Sequence, residues 1–584
     1  MTRSVGLNQN LVSAVKPVLD RRLTPVDFTK LYPVWTLFRP CRVKVLLVAD
    51  GALDFSDNDF GMSAFVEALK SMPGNHVRFD ITLAHIDNRT GPAIQQGADG
   101  IVRSIPNFKF DDTNHFTPAM YDQVWLFGIR TSFFNRGQGY PADRLSDGEL
   151  VALSQFMNQG GGLFATGDHG SLGKALSHAI PRARSMRRWD ATVINGLDVV
   201  SMSGPQRKDT NRIGTVPGSH FDDQSDDVPQ TIQPKLYSRR TGFWRYRFPH
   251  PILCGPQGMI TVMPDHAHEG ECIEAANPNQ TVNLPGLNVI EYPQAIDGGA
   301  RPLPEIIARS SVLSGTTSGS KSPTNPHSFG AMSAYDGHRA GVGRVVTEAT
   351  WHHYTNINLI GRTVSNNPVW SQGFMYSAQG QAHLEQILTY MRNIAVWISR
   401  PAQIKCMRQR LMIWTVLHER VVEAVISKSH LSLRKANFYT LTGIGQHARD
   451  VLGQFVGACQ TTQLIIDILT PIAVPRLRKE FDIWNRPPEL EEREEFIPFI
   501  DVEPMLDATL GAALLSLHEL LENPVNSKMS ERQLDDALTK GAEFAMALSQ
   551  EMLQTGLKGI AEFTTTGAPP PDTPRPTAKR TKKG

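Results

Sequence analysis

Three segments of the chain end an apolar run on histidine and carboxylate. Gly162-Leu163-Phe164-Ala165-Thr166 leads through Gly167 into Asp168-His169-Gly170. Gly258-Met259-Ile260-Thr261-Val262-Met263 leads through Pro264 into Asp265-His266-Ala267-His268-Glu269. Gly343-Arg344-Val345-Val346-Thr347-Glu348-Ala349-Thr350 leads into Trp351-His352-His353. Imidazole titrates near neutrality and a neighbouring carboxylate can orient it, so such groups suit general acid–base work. They suit Zn²⁺, Mn²⁺ or Fe²⁺ equally well. His266 and His268 point the same way if their segment is extended, because side chains alternate along a strand. Two assignments therefore stand side by side. Asp168, His169, Asp265, His266 and Glu269 are candidate catalytic groups; His266, His268, His352 and His353 are candidate ligands of a divalent metal such as Zn. No HExxH pair is present. A fourth group, Asp336-Gly337-His338, precedes the last strand. Asp50, Asp54, Asp57 and Asp59 follow the first strand and read as a solvated acidic turn rather than a calcium loop, since the ligand at the twelfth position is missing.

These groups need elements that bring them together. Val43–Ala49, Phe79–Ile86 and Tyr121–Gly128 are apolar runs of buried-strand character, and Met62, Phe65, Val66 and Leu69 recur at helical spacing between the first two. Ser146 with Glu149 three residues on is a capping box, and Leu150, Leu153, Phe156 and Met157 form the stripe of the helix it opens. The alternation predicts an α/β domain over residues 41–370: a mainly parallel sheet with helices on both faces, all strand C-termini on one edge. The expected bend after Thr166 enters a helix, whose N–H groups would lie beside Asp168 and His169. Residues 185–257 and 275–330, rich in Gly, Pro, Ser and Asp, read as an irregular insertion or lid over that edge. Residues 1–40 are an extension. From residue 380 to 562 a 3.6-residue period predicts an all-helical domain, and residues 563–584 a disordered Pro/Lys-rich tail.

Composition limits the partners. The 59 basic and 57 acidic residues leave a net charge of +2, so no strong field for nucleic acid follows. No apolar run approaches the roughly 20 residues that span a bilayer. Cys41, Cys254, Cys272, Cys406 and Cys459 are scattered, with no CxxC spacing. That pattern argues against a disulfide framework or cysteine zinc cluster and points to a reducing, cytoplasmic compartment. The expected partner is a small-molecule substrate or ligand, with a homo-oligomer or protein partner reached through the helical domain.

The order of the strands, the Tyr121–Gly128 strand, the capped helix and the Gly160–Gly170 elbow together resemble the class I glutamine amidotransferase-like superfamily. Its ThuA-like (trehalose-utilisation) branch is nearest, over roughly residues 43–180 and, in part, 258–361. The resemblance implies a flavodoxin-like fold with the reactive residue in a strand-to-helix elbow. Amidotransferases carry a nucleophilic cysteine there, within Gly-x-Cys-x-Gly; this chain has Thr166-Gly167-Asp168-His169-Gly170. Glutamine hydrolysis through a thiolate is therefore not expected. The ThuA-like branch also lacks the cysteine and has a histidine near this strand end. Two functions follow: a hydrolase of a small polar, carbohydrate-like substrate, with or without a metal-activated water, or a non-catalytic amidotransferase-like ligand-binding or interaction module.

Overall fold

The structure, a computed structural model, describes residues 39–74, 76–87, 100–168, 170–189, 193–194, 197–198, 226–241, 244–264, 270–275, 277–312, 327–426, 431–469, 472, 503–522 and 530–566. Its centre is a ten-stranded sheet. The strands are β1 (Cys41–Ala49), β2 (Val77–His85), β3 (Ile101–Ile105), β4 (Gln123–Phe127), β5 (Gly162–Thr166), β6 (Pro229–Pro234), β7 (Val262–Pro264), β8 (Glu305–Val312), β9 (His327–Tyr335) and β10 (Val345–Glu348). Across the sheet their order is β7-β6-β8-β9-β10-β5-β4-β1-β2-β3. The six strands from β10 to β3 are all parallel, and β9, β8, β6 and β7 continue the sheet antiparallel.

The parallel strands are apolar because both their faces are covered. On one face α1 (Ser63–Lys70) and α3 (Ala378–Trp397) pack with Phe65, Trp125, Phe127, Phe164 and Tyr390. On the other, α2 (Asp147–Asn158) packs with Leu46, Val124 and Leu163. The α2 capping box forms: the Glu149 amide donates to Ser146 Oγ at 3.2 Å, and the Ser146 amide to Glu149 Oε2 at 2.9 Å. Beyond α3 the described chain is helical: α4 (Pro401–Val416), α5 (Glu419–Ile426), α6 (Phe438–Phe455), α7 (Ala458–Leu469), α8 (Glu503–Glu522) and α9 (Glu531–Thr566). Met407 of α4 joins the sheet core, while Met412, Ile413 and Val416 join the core of α6, α7 and α8. Among the described residues no helix is long and apolar enough to cross a membrane.

Four expectations change. β3 forms the outer parallel edge, where the pattern had suggested no strand. Within the region read as a lid, β6, β8 and the start of β9 extend the sheet sideways. The helix after the elbow is a single turn, Lys174–Ser177. Cys41 and Cys406 form a disulfide between β1 and α4, a pairing that sequence spacing does not reveal because the fold supplies the proximity.

Candidate functional site

Setting β3 aside, the parallel strands run β2-β1-β4-β5-β10, the flavodoxin-like order; β3 extends it on the β2 side. The chain reverses direction across the sheet between β1 and β4. Ligands of such sheets bind outside the strand C-termini at that switch point.

Asp168 leaves β5 on this edge. Its amide donates to Leu172 O at 3.0 Å, closing the elbow. The bend requires bare glycine: a Cβ on Gly167 would lie 2.4 Å from Leu172 O, and one on Gly173, whose φ is +88°, 2.6 Å from Gly167 Cα. β10 ends alongside, and Trp351 N donates to Gly167 O at 2.9 Å, fastening the following turn to the elbow. That turn carries His352. Its Nε2 is 3.9 Å from Asp168 Oδ2, and Thr350 Oγ1 donates to Asp168 Oδ1 at 2.8 Å. His352 Nδ1 lies 3.0 Å from Asn358 Oδ1. A carbonyl oxygen only accepts, so the ring carries a proton on Nδ1 and turns Nε2 toward the carboxylate. The Trp351 indole stacks on the ring with centroids 3.8 Å apart. Asp168 and His352 are both buried.

One cation organises the backbone here. Arg187, fully buried, donates to four carbonyls: Asp168 O and Ala349 O at 2.7 Å, Glu348 O at 3.0 Å and Arg188 O at 2.9 Å. It thereby binds the ends of β5 and β10 into one unit.

His353 turns the other way. Its Nδ1 bonds to Glu348 Oε1, and Tyr354 OH donates to Glu348 Oε2. The Tyr354 ring packs against Phe65, Phe127 and Phe164 at 5.2 Å each. His352 and His353 therefore serve different partners. Among the described residues no three His, Cys, Asp or Glu side chains are grouped to hold a metal ion. His169, Asp265, His266, His268 and Glu269 lie outside the described residues.

Two expectations about this edge are corrected. Asp336 and His338 stand at the opposite edge, because β9 runs antiparallel to β10 and Tyr335 pairs with Val345 at the start of β10. There Arg344 Nε holds Asp336 Oδ1 at 2.8 Å, and burial pushes the His338 imidazole down to about 3. Nor is the acidic loop a solvated turn. Asp54 and Asp50 are buried, and Asp59 Oδ1 accepts from Thr363 N at 2.7 Å.

Asp50 is the residue whose importance the sequence hides. It follows β1 directly at the switch point, wholly buried. Its Oδ1 accepts from Ile129 N at 2.6 Å and Arg130 N at 3.1 Å, both just past β4. Oδ2 has no partner among the described residues. Burial drives the carboxyl up to about 7, against the opposing pull of those two amides and the Arg130 charge. Arg130 in turn grips Asp87, beyond β2, with Nη2–Oδ2 at 2.7 Å. β1 and β5 flank β4, so the backbones at Asp50 and Asp168 stand about 10 Å apart, two strand spacings, with the end of β4 between them.

A cavity of about 160 Å³ lies elsewhere, against the N-terminal edge of the sheet, with His76, Arg344, Trp397, Met407, Arg408 and Leu464 among its walls. Its residues share nothing with the Asp50–Asp168–His352 edge. Comparison with family models, with curated proteins and with solved structures returns no match.

Proposed function

We propose that the C-terminal edge of the sheet is a hydrolytic site for a small polar substrate of the carbohydrate class. The observation that carries this reading is the Asp168–His352 pair, held on two strand ends with the ring oriented by Asn358. In that role His352 Nε2 takes a proton from an attacking water while Asp168 stabilises the imidazolium that forms. Asp50, titrating near 7 at the switch point, supplies the second proton-transfer group. The amidotransferase-like, ThuA-type relationship is part of the proposal and agrees with an elbow that carries Asp168 in place of a thiol. The deep burial of the pair favours a second reading, a ligand-binding or interaction module without turnover.

The test is a panel of p-nitrophenyl glycosides and p-nitrophenyl esters offered to the full-length protein and to Asp168→Asn. The proposal expects turnover on at least one class, lost by two orders of magnitude or more in the variant. No turnover on either class, or turnover indifferent to Asp168→Asn, rejects it.

A further inference from the structure

Two of the remaining cysteines face each other far from the proposed hydrolytic edge. Cys254 lies in the short hairpin strand Cys254–Gly255, and Cys459 is the second residue of α7. They are 205 residues apart, yet the Cys459 amide donates to Cys254 Sγ at 3.2 Å. Both side chains are 97 % removed from solvent and belong to the core that joins the hairpin to the helices. The Cys459 amide and the neighbouring Cys459 thiol act together on the Cys254 sulfur. These interactions hold the Cys254 thiol below its ordinary range, while its partner and burial push Cys459 well above. A sulfur at the N-terminus of a twelve-residue helix, receiving an N–H from its first turn, is in a setting that favours thiolate. The second thiol beside it is what a resolving cysteine must be. Cys272 offers the contrast: buried alone, with its thiol pushed up to about 12 by desolvation.

We propose that Cys254 and Cys459 form a peroxide-reactive dithiol site, with Cys254 the attacking and Cys459 the resolving residue. The oxidant is of the hydrogen peroxide class, because burial excludes bulky disulfides. Pro256 and Gln257, just after Cys254, and Val456 and Gln460, flanking Cys459, line the cavity at the sheet's N-terminal edge, which gives a small molecule an approach. Cys254 thiolate attacks one peroxide oxygen: the S–O bond forms, the O–O bond breaks, and the departing hydroxide takes a proton to leave as water. The Cys459 sulfur then attacks the Cys254 sulfenic sulfur. An S–S bond forms, the S–O bond breaks, and the Cys459 proton leaves with the hydroxide as a second water. Two thiols are oxidised by two electrons and one peroxide is reduced to two waters. The product ties the hairpin to α7, as Cys41–Cys406 ties β1 to α4.

The experiment treats the full-length protein with hydrogen peroxide, blocks remaining thiols with N-ethylmaleimide in denaturant, and maps non-reduced tryptic peptides by mass spectrometry. The three free thiols, Cys254, Cys272 and Cys459, should fall to one, with a Cys254–Cys459 cross-linked peptide and Cys272 alkylated. Dimedone should label Cys254 in Cys459→Ser, about tenfold or more faster than it labels Cys272. Three thiols surviving a peroxide excess, first oxidation at Cys272, or over-oxidised Cys254 without the cross-link would each overturn the assignment. The wild-type map decides the matter even if Cys459→Ser fails to fold.

Discussion

Asp50→Asn isolates the electrostatic cost of the switch-point carboxylate. The wild-type side chain is wholly buried, and its carboxyl rises from 3.8 to about 7 because burial penalises the charged form. Folded Asp50 therefore keeps its proton to higher pH than the unfolded chain does. Between the two values the folded state binds more protons, so stability falls as pH rises. The contribution is absent below about pH 4 and fully expressed above about pH 7. A shift of roughly three units is worth about 4 kcal/mol, of which about 3 kcal/mol falls between pH 5 and pH 8. Asparagine keeps Oδ1 for the Ile129 and Arg130 amides and cannot ionise. Urea unfolding of both proteins at pH 5 and pH 8 reads the difference, since any fixed cost of the amide cancels between the two conditions. The wild type should lose about 3 kcal/mol relative to Asp50→Asn on going from pH 5 to pH 8. If the gap between the two proteins stays the same at both pH values, the carboxylate is not buried in the charged-averse setting described.

Two further outcomes follow from packing. In α6, Gly443 faces open space, whereas a Cβ on Gly445 would lie 1.8 Å from Asp507 O of α8. Gly443→Ala should raise stability by about 0.5–1 kcal/mol through helix propensity, and Gly445→Ala should lower it by more than that, both read by denaturant midpoint. Arg187→Met should cost at least about 3 kcal/mol, because four buried carbonyls lose their donor. A smaller loss would mean that water or backbone rearrangement satisfies those oxygens.

Much of the architecture is legible in local pattern. β1, β2, β4 and β5 are mainly apolar, largely buried stretches, and the Ser146–Glu149 pair marks the start of α2 to the residue. β3 escaped notice because Ile101-Val102-Arg103-Ser104-Ile105 is an edge strand with Val102 exposed, so no continuous apolar run is needed. β8 and β9 are disguised by Ser310, Ser311, Ser328 and Ser333, which break the apolar pattern; Ser310 and Ser333 are buried, whereas Ser328 is exposed. Asp168 and His352 could be placed on one edge once both their strands were taken as parallel. The same logic misplaced Asp336 and His338, because pairing direction is set by distant partners and leaves no trace in the residues themselves. Asp50 was hidden for a related reason. Its burial depends on the crossing of the chain between β1 and β4, while its neighbours Asp54, Asp57 and Asp59 give the local stretch the look of a wet turn.

The central claim is that Asp168 and His352 act as one catalytic unit. The direct measurement is a double-mutant cycle of kcat/KM on the p-nitrophenyl substrate that the full-length protein turns over best, with thermal unfolding recorded for each protein. Asp168→Asn and His352→Asn, the second keeping a donor for Asn358 Oδ1, should each lower kcat/KM by about 10²–10⁴. The double variant should be no worse than the poorer single one, since groups that work as a unit are not additive. Losses that multiply in the double variant, or singles that retain full turnover while folded, would contradict the account.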